Sequence, residues 1–123
     1  MIALLEDNPS IAQFIIAALE IYGCHVEHFS DGAAFLTTLQ TGTYDMVLTD
    51  FMLPGEISVL QIITSLQERC PMLPIIVITA ASKSALTSLR TLYPAIPILW
   101  KPFKMKDLLQ TMASLSQSTC QMR

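Results

Sequence analysis

The side chains best suited to chemistry in this sequence are an acidic pair near the N-terminus, a third acid, a hydroxyl group and a lysine. They are Glu6, Asp7, Asp50, Thr79 and Lys101, and each follows a short apolar run. Two like charges about 4 Å apart repel by about 4 kcal/mol at an effective dielectric of about 20, so neighbouring carboxylates need positive charge among them. Mg²⁺ prefers oxygen ligands and suits a site with few carboxylates, and the lysine supplies a second positive charge. These residue types therefore indicate a magnesium site, provided that the fold brings them together.

The apolar runs that precede these side chains predict short β-strands. They are rich in β-branched residues and are bounded by turn or capping residues. The predicted strands are 2–5, 25–29, 46–49, 75–78 and 96–100. The first, third and fourth are almost wholly apolar, as expected when helices cover both faces of a parallel sheet, whereas the polar second run predicts an edge strand.

Helical spacing predicts a helix after each strand. The first has Asn8 as its N-cap, Pro9 at its first position and Gly23 just beyond its end. Ser30 is expected to cap a second helix that runs through Gln40. The remaining predicted helices are 57–69, 84–92 and 104 to about 116, and residues 116–123 are expected to form a frayed tail.

This alternation predicts an α/β protein with a (βα)5 order, in one domain that spans residues 1–123. Right-handed crossovers with one reversal of winding give the flavodoxin-like, doubly wound parallel sheet with strand order 2-1-3-4-5. The carboxyl ends of such strands share one edge, and ligands bind there between the first and third strands. The candidate side chains are therefore expected in one pocket.

Composition argues against several classes of protein. A length of 123 residues with 52% hydrophobic residues fits one buried core. No apolar run reaches the ~20 residues of a membrane-spanning helix. The N-terminus lacks the basic segment of a secretory signal, so we expect a cytoplasmic protein without a membrane partner. A net charge of −3 without a basic stripe argues against direct nucleic-acid binding.

Four motifs, taken in order, resemble those of bacterial response-regulator receiver domains. That family carries an acidic pair after strand one, an acceptor aspartate after strand three, Thr or Ser after strand four and Lys-Pro after strand five. This sequence has LLED, LTDFMLPG, VITA and WKPF at those places, and the resemblance runs from about residue 2 to 115. Four ordered motifs are far more specific than any one of them.

The resemblance implies a role for each candidate residue. Asp50 is the expected phosphoacceptor, with a sensor histidine kinase or a phosphotransfer protein as the donor. Thr79 and Lys101 are expected to bind phosphoryl oxygens. The expected Mg²⁺ ligands are Glu6, Asp7, Asp50 and the backbone carbonyl of Met52. Beyond slow self-dephosphorylation at most, no enzymatic activity is implied.

The resemblance also implies a partner surface. Phosphorylation in this family shifts the population of conformations. Partner proteins usually recognise this shift at the face formed by helix four, strand five and helix five. An effector domain or target protein is the implied partner there, and a second copy of the chain, forming a homodimer, is an alternative partner. The chain is expected to be either a stand-alone receiver or a part of a larger regulator or hybrid kinase.

Departures from the family pattern leave alternatives open. Ile98 stands where a switch aromatic is expected, and Trp100, on the same face of the strand by period-two alternation, is a candidate replacement. Ser58 stands where receivers often have glycine, eight residues after the acceptor, and Ile98 and Ser58 together keep a pseudo-receiver scaffold as the main alternative function. A phosphatase of the haloacid dehalogenase type needs an acid at the position of Met52, so the sequence argues against it. A flavodoxin-like cofactor binder needs a phosphate loop that is not acidic, whereas the loop after strand one is acidic.

Overall fold

The computed structural model describes residues 1–39 and 44–116. Its strands are β1 (Ile2–Leu5), β2 (Val26–Phe29), β3 (Met46–Thr49), β4 (Ile75–Thr79) and β5 (Ile98–Trp100). Its α-helices are α1 (Pro9–Ile21), α2 (Gly32–Thr38), α3 (Val59–Arg69), α4 (Thr87–Leu92) and α5 (Met105–Ser116). A 3₁₀ turn, Ser84–Leu86, precedes α4. The predicted alternation of strands and helices is confirmed.

The strands form a parallel sheet in the order β2-β1-β3-β4-β5. This is the flavodoxin-like order predicted from the sequence, and the polar strand β2 lies at an edge as expected. The register pairs Leu5 with Thr49 across β1 and β3, and Thr79 with Trp100 across β4 and β5. All carboxyl ends therefore lie along one edge of the sheet, which we call the carboxyl edge.

Alternate residues of the central strands pack into two separate cores. Val47 and Val77 face the layer of α2, α3 and α4, whereas Leu48 and Ile76 face the layer of α1 and α5. All four side chains are fully buried. A strand buried on both faces must be apolar along its whole length, which explains the unbroken runs of β3 and β4.

Helix α1 begins and ends as its sequence predicts. The Asn8 side chain accepts hydrogen bonds from the backbone N–H groups of Ser10 and Ile11, at 2.9 and 3.2 Å. Pro9 occupies the first helical position, and Gly23 follows with a φ of 83°, a conformation that favours glycine. The cap fixes the start of α1 directly after Glu6 and Asp7.

The other helix starts differ in detail from the prediction. Helix α2 is capped by Asp31, whose side chain accepts from the Ala34 N–H at 2.9 Å, and not by Ser30. It ends at Thr38, and Gln40 lies outside the described residues, as do residues 117–123 of the predicted tail. Helix α3 begins at Val59, two residues later than predicted, because Ser58 and Gln61 form a capping box.

Two strands begin later than predicted, β2 by one residue and β5 by two. The start of β5 has a clear physical reason. Pro97 has no N–H to donate to the sheet, although its carbonyl accepts a hydrogen bond from Val77 N at 3.0 Å. The regular ladder therefore begins at Ile98.

No helix in the described part of the chain is both long enough and apolar enough to cross a membrane.

The cap of α2 gives a direct test of the fold. Replacing Asp31 with alanine removes the acceptor for the Ala34 N–H and should lower the free energy of unfolding by about 1 kcal/mol. Ser30→Ala removes the neighbouring hydroxyl, which makes no hydrogen bond to a described residue, and should leave stability nearly unchanged. Urea denaturation followed by circular dichroism measures both, and the opposite ranking would show that Ser30 is the cap.

Candidate functional site

Three carboxylates meet at the carboxyl edge of the sheet. Glu6 and Asp7 follow β1, and Asp50 follows β3, which pairs directly with β1. One carboxylate oxygen from each lies within 4.8 Å of the others. Glu6 and Asp50 are 2% and 8% exposed, whereas Asp7 is open to solvent. The structure thus brings the three predicted acids together as an acidic cluster.

Lys101 forms ion pairs with both buried members of this cluster. Its Nζ donates to Glu6 Oε1 at 2.9 Å and to Asp50 Oδ2 at 2.8 Å. Burial lowers the pKa of Lys101, but the hydrogen bonds and charges of Asp50 and Glu6 outweigh burial and raise it above its ordinary value. The side chain therefore remains an ammonium group at neutral pH.

Backbone N–H groups hold the second oxygen of each buried carboxylate. The Met52 N–H donates to Asp50 Oδ1 at 3.0 Å, and the Asn8 N–H donates to Glu6 Oε2 at 3.1 Å. Each carboxylate is thus fixed by one ammonium and one backbone contact. The sequence identified Asn8 only as a helix cap and Met52 only through its carbonyl, so both N–H contacts were missed.

Thr79 lies at the end of β4, next to the lysine. Its side chain is fully buried, and its Oγ1 accepts a hydrogen bond from the Ala81 N–H at 3.1 Å. Its backbone carbonyl accepts from the Lys101 N–H at 2.8 Å. Within residues 1–39 and 44–116 the hydroxyl makes no hydrogen bond to the acidic cluster. Thr79 is therefore connected to the cluster through its backbone hydrogen bond to Lys101 and not through its hydroxyl.

The segment around Lys101 has two further features. The Lys101–Pro102 peptide bond is cis. Ile98 and Trp100 pack against the same core cluster, which confirms that they share one face of β5. A switch role for Trp100 stays a prediction.

The acidic cluster has the donor set of a metal site. Carboxylate oxygens are the ligands that hard divalent cations prefer. The Asp7 carboxylate makes no hydrogen bond or ion pair with any described residue, so its oxygens are available to an ion. Glu6, Asp7 and Asp50 are therefore a group of residues that could hold a metal ion.

Comparison with known proteins identifies the family. The sequence model described as the response regulator receiver domain matches residues 2–113. The chain belongs to this family. Receiver domains are the signalling domains of two-component response regulators, and they interact with histidine kinases and effector domains. The family resemblance drawn from the four sequence motifs is thus confirmed.

Two relatives differ in how much of their own length this receiver domain covers. It is 34% identical over 107 residues to the response regulator receiver protein CpdR of Brucella abortus, covering 87% of this chain and 88% of CpdR. It is 34% identical over 108 residues to the response regulator ArlR of Staphylococcus saprophyticus, covering 88% of this chain and 48% of ArlR. The receiver domain therefore spans most of one relative and about half of the other.

A solved structure shares the fold. The response regulator protein TrrA of Thermotoga maritima, in complex with Mg(2+)-BeF, superposes with a TM-score of 0.80 at 25% identity. The alignment covers 93% of this chain and 96% of that one.

The lysine contact predicts a stability effect. Lys101→Met leaves two buried carboxylates without their ammonium partner and should lower the free energy of unfolding by about 3 kcal/mol. Lys104→Met removes an exposed lysine close by and should change stability by less than about 0.5 kcal/mol. Both are measured by denaturant unfolding at neutral pH in the absence of divalent cations. Equal losses in the two variants would contradict the charge-neutralising role of Lys101.

Proposed function

We propose that this receiver domain accepts a phosphoryl group on Asp50, with Mg²⁺ as the cofactor, in a two-component or phosphorelay system. The observation that carries the proposal is the contact of 2.8 Å between Asp50 Oδ2 and Lys101 Nζ within the acidic cluster. Phosphoryl transfer depends on positioning and charge neutralisation, and this arrangement provides both for an incoming phosphoryl group.

The proposed reaction uses Asp50 as the nucleophile. A carboxylate oxygen of Asp50 attacks the phosphorus of a phosphohistidine on the donor protein. The P–N bond breaks, and its electron pair returns to the histidine ring. The Met52 N–H and Lys101 orient the carboxylate before the attack, so little reorganisation is needed.

Lys101 and Thr79 stabilise the product. The phosphoryl oxygens attract the Lys101 ammonium group, which then shares its hydrogen bonds between Glu6 and the new anion. The Thr79 hydroxyl, which accepts from the Ala81 N–H, still has its own proton to donate to a phosphoryl oxygen. These two contacts distinguish the phosphorylated from the unphosphorylated conformation.

The proposed ligands of Mg²⁺ are the side chains of Glu6, Asp7 and Asp50 and the backbone carbonyl of Met52. The bound ion would supply positive charge against the developing charge on the phosphoryl oxygens. The convergence of the three carboxylates supports this assignment, and the Mg(2+)-BeF complex of TrrA is consistent with it.

Phosphorylation is proposed to switch a protein-interaction surface. The phosphoryl group carries about −1.5 to −2 charges, by analogy with other phosphorylated side chains, in place of the single negative charge of the Asp50 carboxylate, and it favours the conformation in which Thr79 and Lys101 close on it. The pair of Thr79 with Trp100 in the sheet register connects the pocket to β5. The proposed partners are a histidine kinase or phosphotransfer protein and, at the α4-β5-α5 face, an effector domain or target protein in the cytoplasm. We propose that the chain itself turns over no separate substrate.

Acetyl phosphate tests the function directly. The wild-type chain incubated with acetyl phosphate and Mg²⁺ should gain ~80 Da, the mass of one PO₃ group, and peptide mapping should locate it on Asp50. Chelation of Mg²⁺ with EDTA should prevent the gain. Asp50→Asn should not be modified, whereas Asp107→Asn, the same change outside the pocket, should be modified normally.

The same experiment distinguishes the proposed phosphoacceptor from the alternative, a pseudo-receiver scaffold. A correctly folded wild-type chain that gains no mass from acetyl phosphate or from a phosphorylated phosphotransfer protein would be a pseudo-receiver scaffold.

A further inference from the structure

The three carboxylates of the acidic cluster are not held equally. Glu6 and Asp50 each have one oxygen on the Lys101 ammonium group and the other on a backbone N–H group. Asp7 has neither kind of contact, since no hydrogen bond or ion pair joins its backbone or its side chain to the described part of the chain. A metal site that includes Asp7 therefore needs another contact to fix the position of this residue.

One side chain contacts the backbone directly beside Asp7. His28 Nε2 lies 2.7 Å from the backbone carbonyl oxygen of Glu6. Because a carbonyl oxygen can only accept, the imidazole N–H is the donor. This carbonyl belongs to the peptide group that joins Glu6 to Asp7, and a peptide group is planar. The hydrogen bond therefore fixes the orientation of the plane that carries the backbone nitrogen and Cα of Asp7.

The end of β2 explains why a side chain makes this contact. Strands β1 and β2 pair as far as Leu5 with Phe29, and the Glu6 N–H extends the ladder by donating to the Phe29 carbonyl at 3.0 Å. Beyond Phe29 the chain turns toward α2, and no backbone N–H of residues 1–39 and 44–116 donates to the Glu6 carbonyl. Glu6 is a buried residue, and a buried carbonyl without a donor is unfavourable. His28 provides the missing donor.

We propose that His28 is a positioning residue for the metal site and that it acts by fixing the backbone of Asp7. The inference deepens the proposed function, on which it rests for the binding of Mg²⁺ and for Asp7 as a ligand. Ordering a residue when a ligand binds has an entropic cost, which is avoided where the residue is ordered beforehand. His28 imposes this order on Asp7 in the metal-free chain.

The second histidine of the chain offers a matched control. His25 immediately precedes β2, at the opposite end of the strand from the acidic cluster. Both histidines are exposed, so replacing either leaves no buried cavity. The His25 side chain makes no hydrogen bond or ion pair with any described residue. The two positions therefore differ in the contact with the Glu6 carbonyl, which His28 alone makes.

Titration of Mg²⁺ into the ¹⁵N-labelled chain, followed by NMR chemical shifts, tests the role of His28. His28→Leu removes the donor and should weaken Mg²⁺ binding about fivefold, which corresponds to about 1 kcal/mol. His28→Gln should bind within about twofold of wild type, because its side-chain N–H group can donate in the same place. His25→Leu should leave the affinity unchanged. Circular dichroism shows that each variant is folded, so each affinity belongs to the native chain.

The spectra recorded before Mg²⁺ is added provide a second readout. The Asp7 amide lies in the peptide group whose carbonyl accepts from His28. Its ¹⁵N shift should therefore change in His28→Leu and return toward the wild-type value in His28→Gln. The amide of Asp107, which lies in α5, should be unaffected in both variants.

A double variant tests whether His28 acts through Asp7. Asp7→Ala removes the carboxylate that His28 positions. Adding His28→Leu to Asp7→Ala should therefore weaken Mg²⁺ binding by less than about twofold further. An equal loss with and without the Asp7 carboxylate would overturn the proposal, because a general effect on the fold would act in both backgrounds.

Two other results would also overturn the proposal. One is wild-type affinity in folded His28→Leu, or a loss in His28→Gln as large as in His28→Leu. Either outcome would remove the role of His28 and leave the Mg²⁺ site and the phosphorylation of Asp50 untouched. The other result is an absence of Mg²⁺ binding by the wild-type chain, which would overturn the proposed cofactor together with this inference.

Discussion

The ion pairs of Lys101 with Glu6 and Asp50 are the interaction on which the rest of the site depends. Lys101 follows β5, and the acids follow β1 and β3, so the ammonium group must reach past the end of β4. Neighbouring strands lie about 4.8 Å apart, so β5 and β3 are about 10 Å apart, and the lysine and the carboxylate side chains must extend toward each other. The contact exists only because the strands are parallel, adjacent in this order and end at one edge.

Two buried carboxylates side by side would otherwise be unfavourable, and the fold offsets this cost with fixed donors. Each acid has one oxygen on the ammonium group and the other on a backbone N–H of the following turn. A phosphoryl group or a divalent cation that enters the cluster changes the balance of charge around Lys101. The site is therefore sensitive to added charge because a single ammonium group only partly offsets its carboxylates.

Much of this site could be predicted from the sequence, because its elements depend on local patterns. The apolar runs identify the strands, and the polar residue after each run identifies the carboxyl edge. The cap of α2 could not be predicted in the same way, because Ser30 and Asp31 are both good N-caps and only the path of the chain selects one. The N–H contacts of Asn8 and Met52 likewise depend on turn geometry, which residue types alone do not determine. The start of β5 was predictable in principle, since Pro97 cannot donate a hydrogen bond to the ladder.

Titration of Mg²⁺ into the purified chain, followed by isothermal calorimetry, tests the central claim most directly. Charge neutralisation at the acidic cluster predicts saturable binding of one ion, weakened at least about tenfold in Asp7→Asn, which loses the exposed carboxylate, and unaltered in Asp107→Asn. Absence of saturable binding by the folded wild-type chain, or equal affinity in the two variants, would contradict the account.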